Sequence, residues 1–223
     1  MRTSHQGDHD GLCGLDSVIN AAKQLGIRDN QGALYTDLFR WLVDGIPSSR
    51  LSKAITDGMT PDELAATTRQ AFQKLKRRHQ SSLRIRRPFV DRAFENSKRF
   101  ADEIRARLAV PDTVVILCLQ LPMTCHWSVV RRATSRSITL RDSDDLDAIQ
   151  LADFGVNAGR RHIRTADTFV IDRMTWLRTA RARDLIEDRH GVDAQLGDDP
   201  HKLDDVQPPT PMLVLRDVGL IHS

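Results

Sequence analysis

The chain has 223 residues, 40% hydrophobic and 28% charged, with a net charge of +3. That length suits one domain of moderate size, or one domain plus a tail. The longest apolar runs fall short of the roughly 18 residues a membrane span needs, and Met1 to His9 has no apolar signal core, so the expectation is a soluble, cytoplasmic protein without a membrane partner. Export by a route that needs no such signal stays open.

Residues 1–12 read as a loop. Between Cys13 and Leu25 apolar residues recur at Leu15, Val18, Ile19, Ala22 and Leu25, a helical spacing that Gly26 ends. A second helix is expected over Leu34 to Val43. Thr60-Pro-Asp-Glu63 opens a third that runs to about Leu75, with a capping residue, a proline at the first position and acids in the first turn. A fourth is expected from Val90 to Leu108. Thr113 to Leu121 is a continuous apolar run of strand length. Trp127 to Arg132, Ser137 to Arg141 and Thr168 to Ile171 read as further strands, with a short one at Leu83 to Ile85. Helices first and a mostly antiparallel sheet second is an α+β order.

The charge is unevenly spread. Residues 1–183 carry 30 Lys and Arg against 21 Asp and Glu, whereas residues 184–223 carry 3 against 9. The division places a basic domain over 1–183 and an acidic, proline-containing tail over 184–223, flexible or docked on the basic body or on a partner. Two apolar islands, Met212 to Leu215 and Val218 to Ile221, lie within the tail. The basic cluster of Lys74, Lys76, Arg77, Arg78, Arg84, Arg86 and Arg87 lacks interleaved aromatic residues, which disfavours a nucleic-acid partner and favours a solvated helix end.

Three cysteines, Cys13, Cys118 and Cys125, are too few and too scattered for a disulfide framework or a paired-cysteine zinc site. Cys118 sits in the apolar run and reads as a buried thiol. Cys125 reads as a neighbour of the site or a core residue. A metal reading of His5, Asp8, His9 and Asp10 would make Cys13 a ligand, and a polar loop is the simpler account. The expected chemistry calls for no metal and no cofactor.

Cys13 is the residue with the clearest chemical signature. A thiol attacks only as thiolate, and a helix N-terminus together with a neighbouring imidazole favours that form. Gly11 and Gly14 flank Cys13, leaving room for a substrate backbone, so Gly14 is a candidate substrate contact. His126 opens an expected strand, and Trp127 beside it is a second candidate substrate contact and a shield from water. Asp142 ends the next strand, where a hairpin would bring it to His126 to orient the ring. Ser143 is a fallback for that role, and Asp144, Asp145 and Asp147 read as a solvated loop. Gln6 can donate to an oxyanion together with the Cys13 backbone N–H.

The order of Gln6, a helix-opening Cys13, His126 on a strand and Asp142 on the next resembles the papain-like cysteine peptidase superfamily. Within it, Cys13-Gly-Leu-Asp-Ser-Val-Ile-Asn20 and His126-Trp127 look most like compact members such as the Josephin-type deubiquitinases and the C39-like peptidases. Asp10-Gly-Leu-Cys13 also resembles a box of the OTU-type deubiquitinases, although strands and an Asp following His126 favour the papain arrangement. Gln6 lies further from Cys13 than that superfamily usually places its glutamine, leaving His9 or a backbone N–H as alternative donors. The resemblance implies a papain-like fold and hydrolysis of a peptide or isopeptide bond in a protein or peptide substrate, with ubiquitin-like proteins among the candidates. Acyl transfer to an amine by the same three residues, and a catalytically inactive protein-binding module, are the alternatives.

Overall fold

In the computed structural model, residues 11–27, 33–122, 124–142 and 146–174 are described. Gln6, His5, Asp8, His9, Asp10, Ser143, Asp144, Asp145 and the whole 184–223 tail lie outside the described residues.

The first helix, α1 (Cys13–Gln24), starts at the expected residue and buries Leu15, Val18, Ile19, Ala21 and Ala22. Gly26 follows at φ +66°, a left-handed conformation that favours glycine and ends the helix. Helix α2 (Leu34–Asp44) buries Leu34, Leu38, Trp41 and Leu42, one face of a helical repeat. Helix α3 (Ser48–Asp57) has no counterpart in the sequence expectations. It carries only Leu51, Ala54 and Ile55 as apolar residues and buries only Ala54, a short pattern in a mostly polar segment. Helix α4 (Pro61–His79) opens with a complete capping box: Glu63 N–H donates to Thr60 Oγ1, and Thr60 N–H donates to Glu63 Oε2 at 2.8 Å. Arg50 donates to the same carboxylate at 2.6 Å, tying α3 to the start of α4 and holding the Glu63 carboxyl down to about 2.

Helix α5 (Ser97–Leu108) begins seven residues after the expected start at Val90. The Asn96 side chain caps it by accepting from Arg99 N–H. The apolar residues upstream serve another purpose: Phe89 and Phe94 pack edge-on against each other and against Phe100, with ring centroids 4.9–5.5 Å apart.

The strands are β1 (Leu83–Arg86), β2 (Thr113–Gln120), β3 (Cys125–Ala133), β4 (Ser137–Arg141), β5 (Ala148–Gln150), β6 (Gly155–Val156), β7 (His162–Ile163) and β8 (Phe169–Arg173). They form one sheet in the order β1-β8-β2-β3-β4-β5. The far half of β2 pairs with β7, and β6 pairs with β7 in parallel. Every other pairing is antiparallel, so the fold is α+β with five helices among the described residues. The short β5, β6 and β7 carry too few residues for an alternating pattern to show.

The sheet is covered on both faces. Val114, Ile116, Cys118, Trp127, Val129, Phe169 and Ile171 join α1, α2 and α4 in one core. Val115, Leu117, Leu119, Val130 and Val170 join Phe89, Phe100 and Ile104 in the other. Alternate residues of β2 thus enter different cores, which is why its sequence is apolar without alternation. No helix among the described residues is long and apolar enough to cross a membrane.

The basic cluster has buried partners that sequence reasoning missed. Arg84 and Arg86 both reach Asp172 on β8, at 3.3 and 2.6 Å, and Arg87 reaches Asp167 at 2.9 Å. Cross-strand pairing of β1 with β8 brings Arg84 and Arg86 to Asp172, and spacing along the chain carries no sign of it.

Candidate active site

Cys13 is the first residue of α1. The ladder of the helix begins with the N–H groups of Leu15 and Asp16 on Leu12 O, so those of Cys13 and Gly14 precede it. The helix is fastened to β3 by two side chains. Ser17, one turn after Cys13, donates to Trp127 O at 2.8 Å, and Gln24 donates to Val130 O at 3.1 Å. These two bonds set α1 along β3 and bring the helix start to the level of His126.

His126 is the second residue of β3. Val129 pairs with Arg141, the last residue of β4, and Asp142 follows directly, so extending that register by one residue would place it opposite Ser128. Asp142 is therefore the diagonal neighbour of His126 on the same side of the hairpin, within side-chain reach. His126 Nε2 and Asp142 Oδ2 are 2.7 Å apart. The bulge between Val130 and Arg132 lies farther along the hairpin and leaves this end in register.

The electrostatics follow from burial and charge. Cys13, His126 and Asp142 are 5%, 6% and 8% exposed. Burial alone would push the His126 pKa down. The hydrogen bond to Asp142 and the Cys13 side chain beside the ring outweigh it and raise the imidazole from 6.5 to about 10. The charged form of the ring is thus favoured, with Nε2 on the Asp142 carboxylate and Cys13 as its second side-chain partner. The three side chains, from the start of α1, from β3 and from the residue after β4, meet at one place.

Gly14 and Trp127 have a different setting from the one expected of residues at an open cleft. Trp127 is 3% exposed and stacks on Phe169, with centroids 5.2 Å apart. A side chain at Gly14 would meet Leu64 Cδ2 at 3.0 Å and Trp127 Cδ1 at 3.5 Å. Gly11 also faces the chain itself: a Cβ there would lie 2.3 Å from Gly58 N and 2.7 Å from Ala54 O. Gly11 N–H donates to Ile55 O. These contacts give both glycines a reason in packing, seating the start of α1 on Leu64, Trp127 and the end of α3.

Ser17, Gln24 and Gly58 were not singled out from the sequence, although each helps place Cys13. Ser17 carried a readable signal, since it lies one helical turn from Cys13 on the same face. Gly58 did not, because its role depends on a contact between segments distant in sequence. Gln6, the expected oxyanion donor, lies outside the described residues. Among the described residues no group of three or more His, Cys, Asp or Glu side chains is arranged to hold a metal ion. Compared with known proteins, the sequence matches no family model, and no curated protein matches it.

Proposed function

We propose that this protein is a papain-like cysteine peptidase that cleaves a peptide or isopeptide bond through an acyl-thioester. One observation carries the reading: the Cys13 thiol, at a helix start, lies beside a buried imidazole whose far nitrogen is held by Asp142 at 2.7 Å. Nucleophile, proton carrier and orienting carboxylate are the parts that acyl transfer requires, in the required sequence of contacts.

In this reading Cys13 attacks the carbonyl carbon as thiolate, with the proton carried on His126. The developing oxyanion lies near the unused N–H groups at the start of α1, and Gln6 is the side chain assigned to assist them. His126 gives its proton to the departing amine. Water, deprotonated by the same ring, then releases the acyl group from sulfur. Asp142 keeps the ring oriented throughout and stabilises it each time it carries the second proton. The substrate is a protein or peptide, with ubiquitin-like proteins among the candidates on the resemblance of the Cys13 and His126 segments.

Two experiments test the reading. Iodoacetamide at pH 6 is expected to modify Cys13 faster in the native protein than in the unfolded chain, and to lose that advantage in His126→Ala. Equal rates in the native and unfolded states reject the activated thiol. Electrophilic probes on short peptides and on ubiquitin-like proteins, read as adducts on Cys13 by mass spectrometry, then assign the acyl donor. Product masses with and without added amines separate hydrolysis from transfer.

A further inference from the structure

A second thiol cluster lies at the same end of the sheet. Cys125, the first residue of β3, is half-buried. The register pairs Gln120 with Cys125 and Cys118 with Trp127, so Cys118 and Cys125 are diagonal neighbours on one face of the β2–β3 ladder. Cys118 is 1% exposed. Arg164 Nη1 donates to Cys125 Sγ at 3.3 Å, and the Cys125 thiol in turn donates to Gln120 Oε1 at 2.9 Å.

The charge around Arg164 is what distinguishes this cluster. Asp167 is buried and takes two guanidinium groups, Arg164 at 2.7 Å and Arg87 at 2.9 Å. Arg87 has a second carboxylate, Asp62, at 2.6 Å, but that side chain is 92% exposed and screened by water. Arg164 is thus held by Asp167 through Nη2 while its Nη1 points to Cys125 Sγ.

We propose that Cys125 and Cys118 form an oxidisable dithiol, in which a hydroperoxide oxidises Cys125 and Cys118 closes a disulfide between β2 and β3. The Cys125 sulfur attacks the terminal peroxide oxygen and the O–O bond breaks. The departing oxygen takes up the proton the thiol gave up and leaves as water or an alcohol, and Cys125 becomes a sulfenic acid. The Cys118 sulfur then attacks Cys125 Sγ, the S–O bond breaks, and hydroxide leaves with the Cys118 proton as water. Two thiols supply the two electrons that reduce the peroxide.

Several features suit these roles. The neighbouring Cys118 thiol first, and Arg164 after it, hold the Cys125 pKa below its ordinary value against the upward pull of burial, while Cys118 itself is pushed up. Deprotonation gives up the bond to Gln120 Oε1 and keeps both stabilising neighbours. Exposure settles the order of events, since a small peroxide reaches Cys125 before Cys118. Diagonal strand neighbours, at about 7–8 Å, lie at or just past the usual Cα span of a disulfide, so closing the bond requires the backbone to move. Cys125 belongs to the last pair of the β2–β3 ladder, so the strand end that carries it is the part free to draw in toward Cys118. The inference does not rest on the peptidase reading and uses none of its three residues.

The test is direct, because no Lys or Arg lies between residues 108 and 131 and both cysteines fall on one tryptic peptide. Full-length protein is treated with one equivalent of hydrogen peroxide, blocked with N-ethylmaleimide and digested. The expected product is peptide 108–131 two hydrogens lighter, free of maleimide, and restored by dithiothreitol. In Cys118→Ser the same peptide is expected to carry a dimedone adduct on Cys125. Arg164→Met, checked for an intact melting transition, is expected to slow bridge formation about ten-fold. Recovery of Cys125 blocked by maleimide in the wild type overturns the proposal, as does oxidation of Cys125 without a bridge to Cys118. If Arg164→Met does not fold, those two measurements decide.

Discussion

Cys13 and Cys125 sit near the start of the same strand, yet their surroundings suit them to different chemistry. Cys13 faces an imidazole, which can accept a proton, hold it against Asp142 and hand it on. Cys125 faces a guanidinium, which stabilises a negative sulfur but takes up no proton at any ordinary pH. A mobile proton is what acyl transfer needs, first to free the thiol and then to release an amine. A fixed charge is enough for attack on a peroxide, whose leaving group needs only the proton the thiol has lost. Cys125 packs against the same core that holds Cys13 and Cys118, so what distinguishes the two thiols is the group beside each, an imidazole or a guanidinium.

The largest expected effect separates the two thiols outright. Cys13→Ala should cut turnover by about 10⁴-fold or more while leaving peroxide bridging of Cys118 and Cys125 intact. Hydrolysis that survives in Cys13→Ala would shift the nucleophile to another thiol, Cys125 first.

Asp142→Asn tests whether the proton carrier depends on its carboxylate. Turnover is expected to fall by about 10²–10⁴-fold, and the His126 ring to titrate well below the wild-type value of about 10, followed by imidazole NMR. Because the folded pKa lies above the ordinary 6.5, the ring stabilises the fold fully below about pH 6.5, and that contribution is lost as pH rises through about 10. The urea midpoint of the wild type should therefore decline across that window, and less steeply in Asp142→Asn. Equal slopes would detach Asp142 from the ring's ionisation.

Smaller effects probe how each thiol is held. Gly11→Ala forces a Cβ into the backbone of Gly58 and should cost about 1–3 kcal/mol in urea unfolding. It should also slow alkylation of Cys13 while sparing the Cys125 bridge. Ser17→Ala removes the bond to Trp127 O and should cost about 1 kcal/mol. A Cys125 cluster that responds to Gly11→Ala as strongly as Cys13 does would show that the two are not separately supported.

Much of the fold was legible because its signals are local. The α1 start at Cys13, the capping box of α4 and β4 over Ser137–Arg141 all depend on residues within a turn or a strand of each other. The errors have the same origin. Helix α3 buries a single alanine, and the segment before Ser97 spends its aromatic residues on a cluster with Phe100 instead of a helical face.

At the candidate site, residue type and chain order alone selected Cys13, His126 and Asp142. Their meeting is a tertiary fact: the β3–β4 register sets the His126–Asp142 diagonal, and Ser17 and Gln24 set α1 against β3. The roles of the glycines were decided there too, since only the folded chain shows Gly58 and Leu64 in the space a substrate seemed to need. The same holds for Cys125, whose partners Arg164 and Cys118 come to it through strand pairing and a turn near β7. Local sequence specifies which chemistry a side chain carries. Which proton donor, charge or second thiol stands beside it depends on contacts between residues far apart in the chain, and those exist only once the sheet has formed.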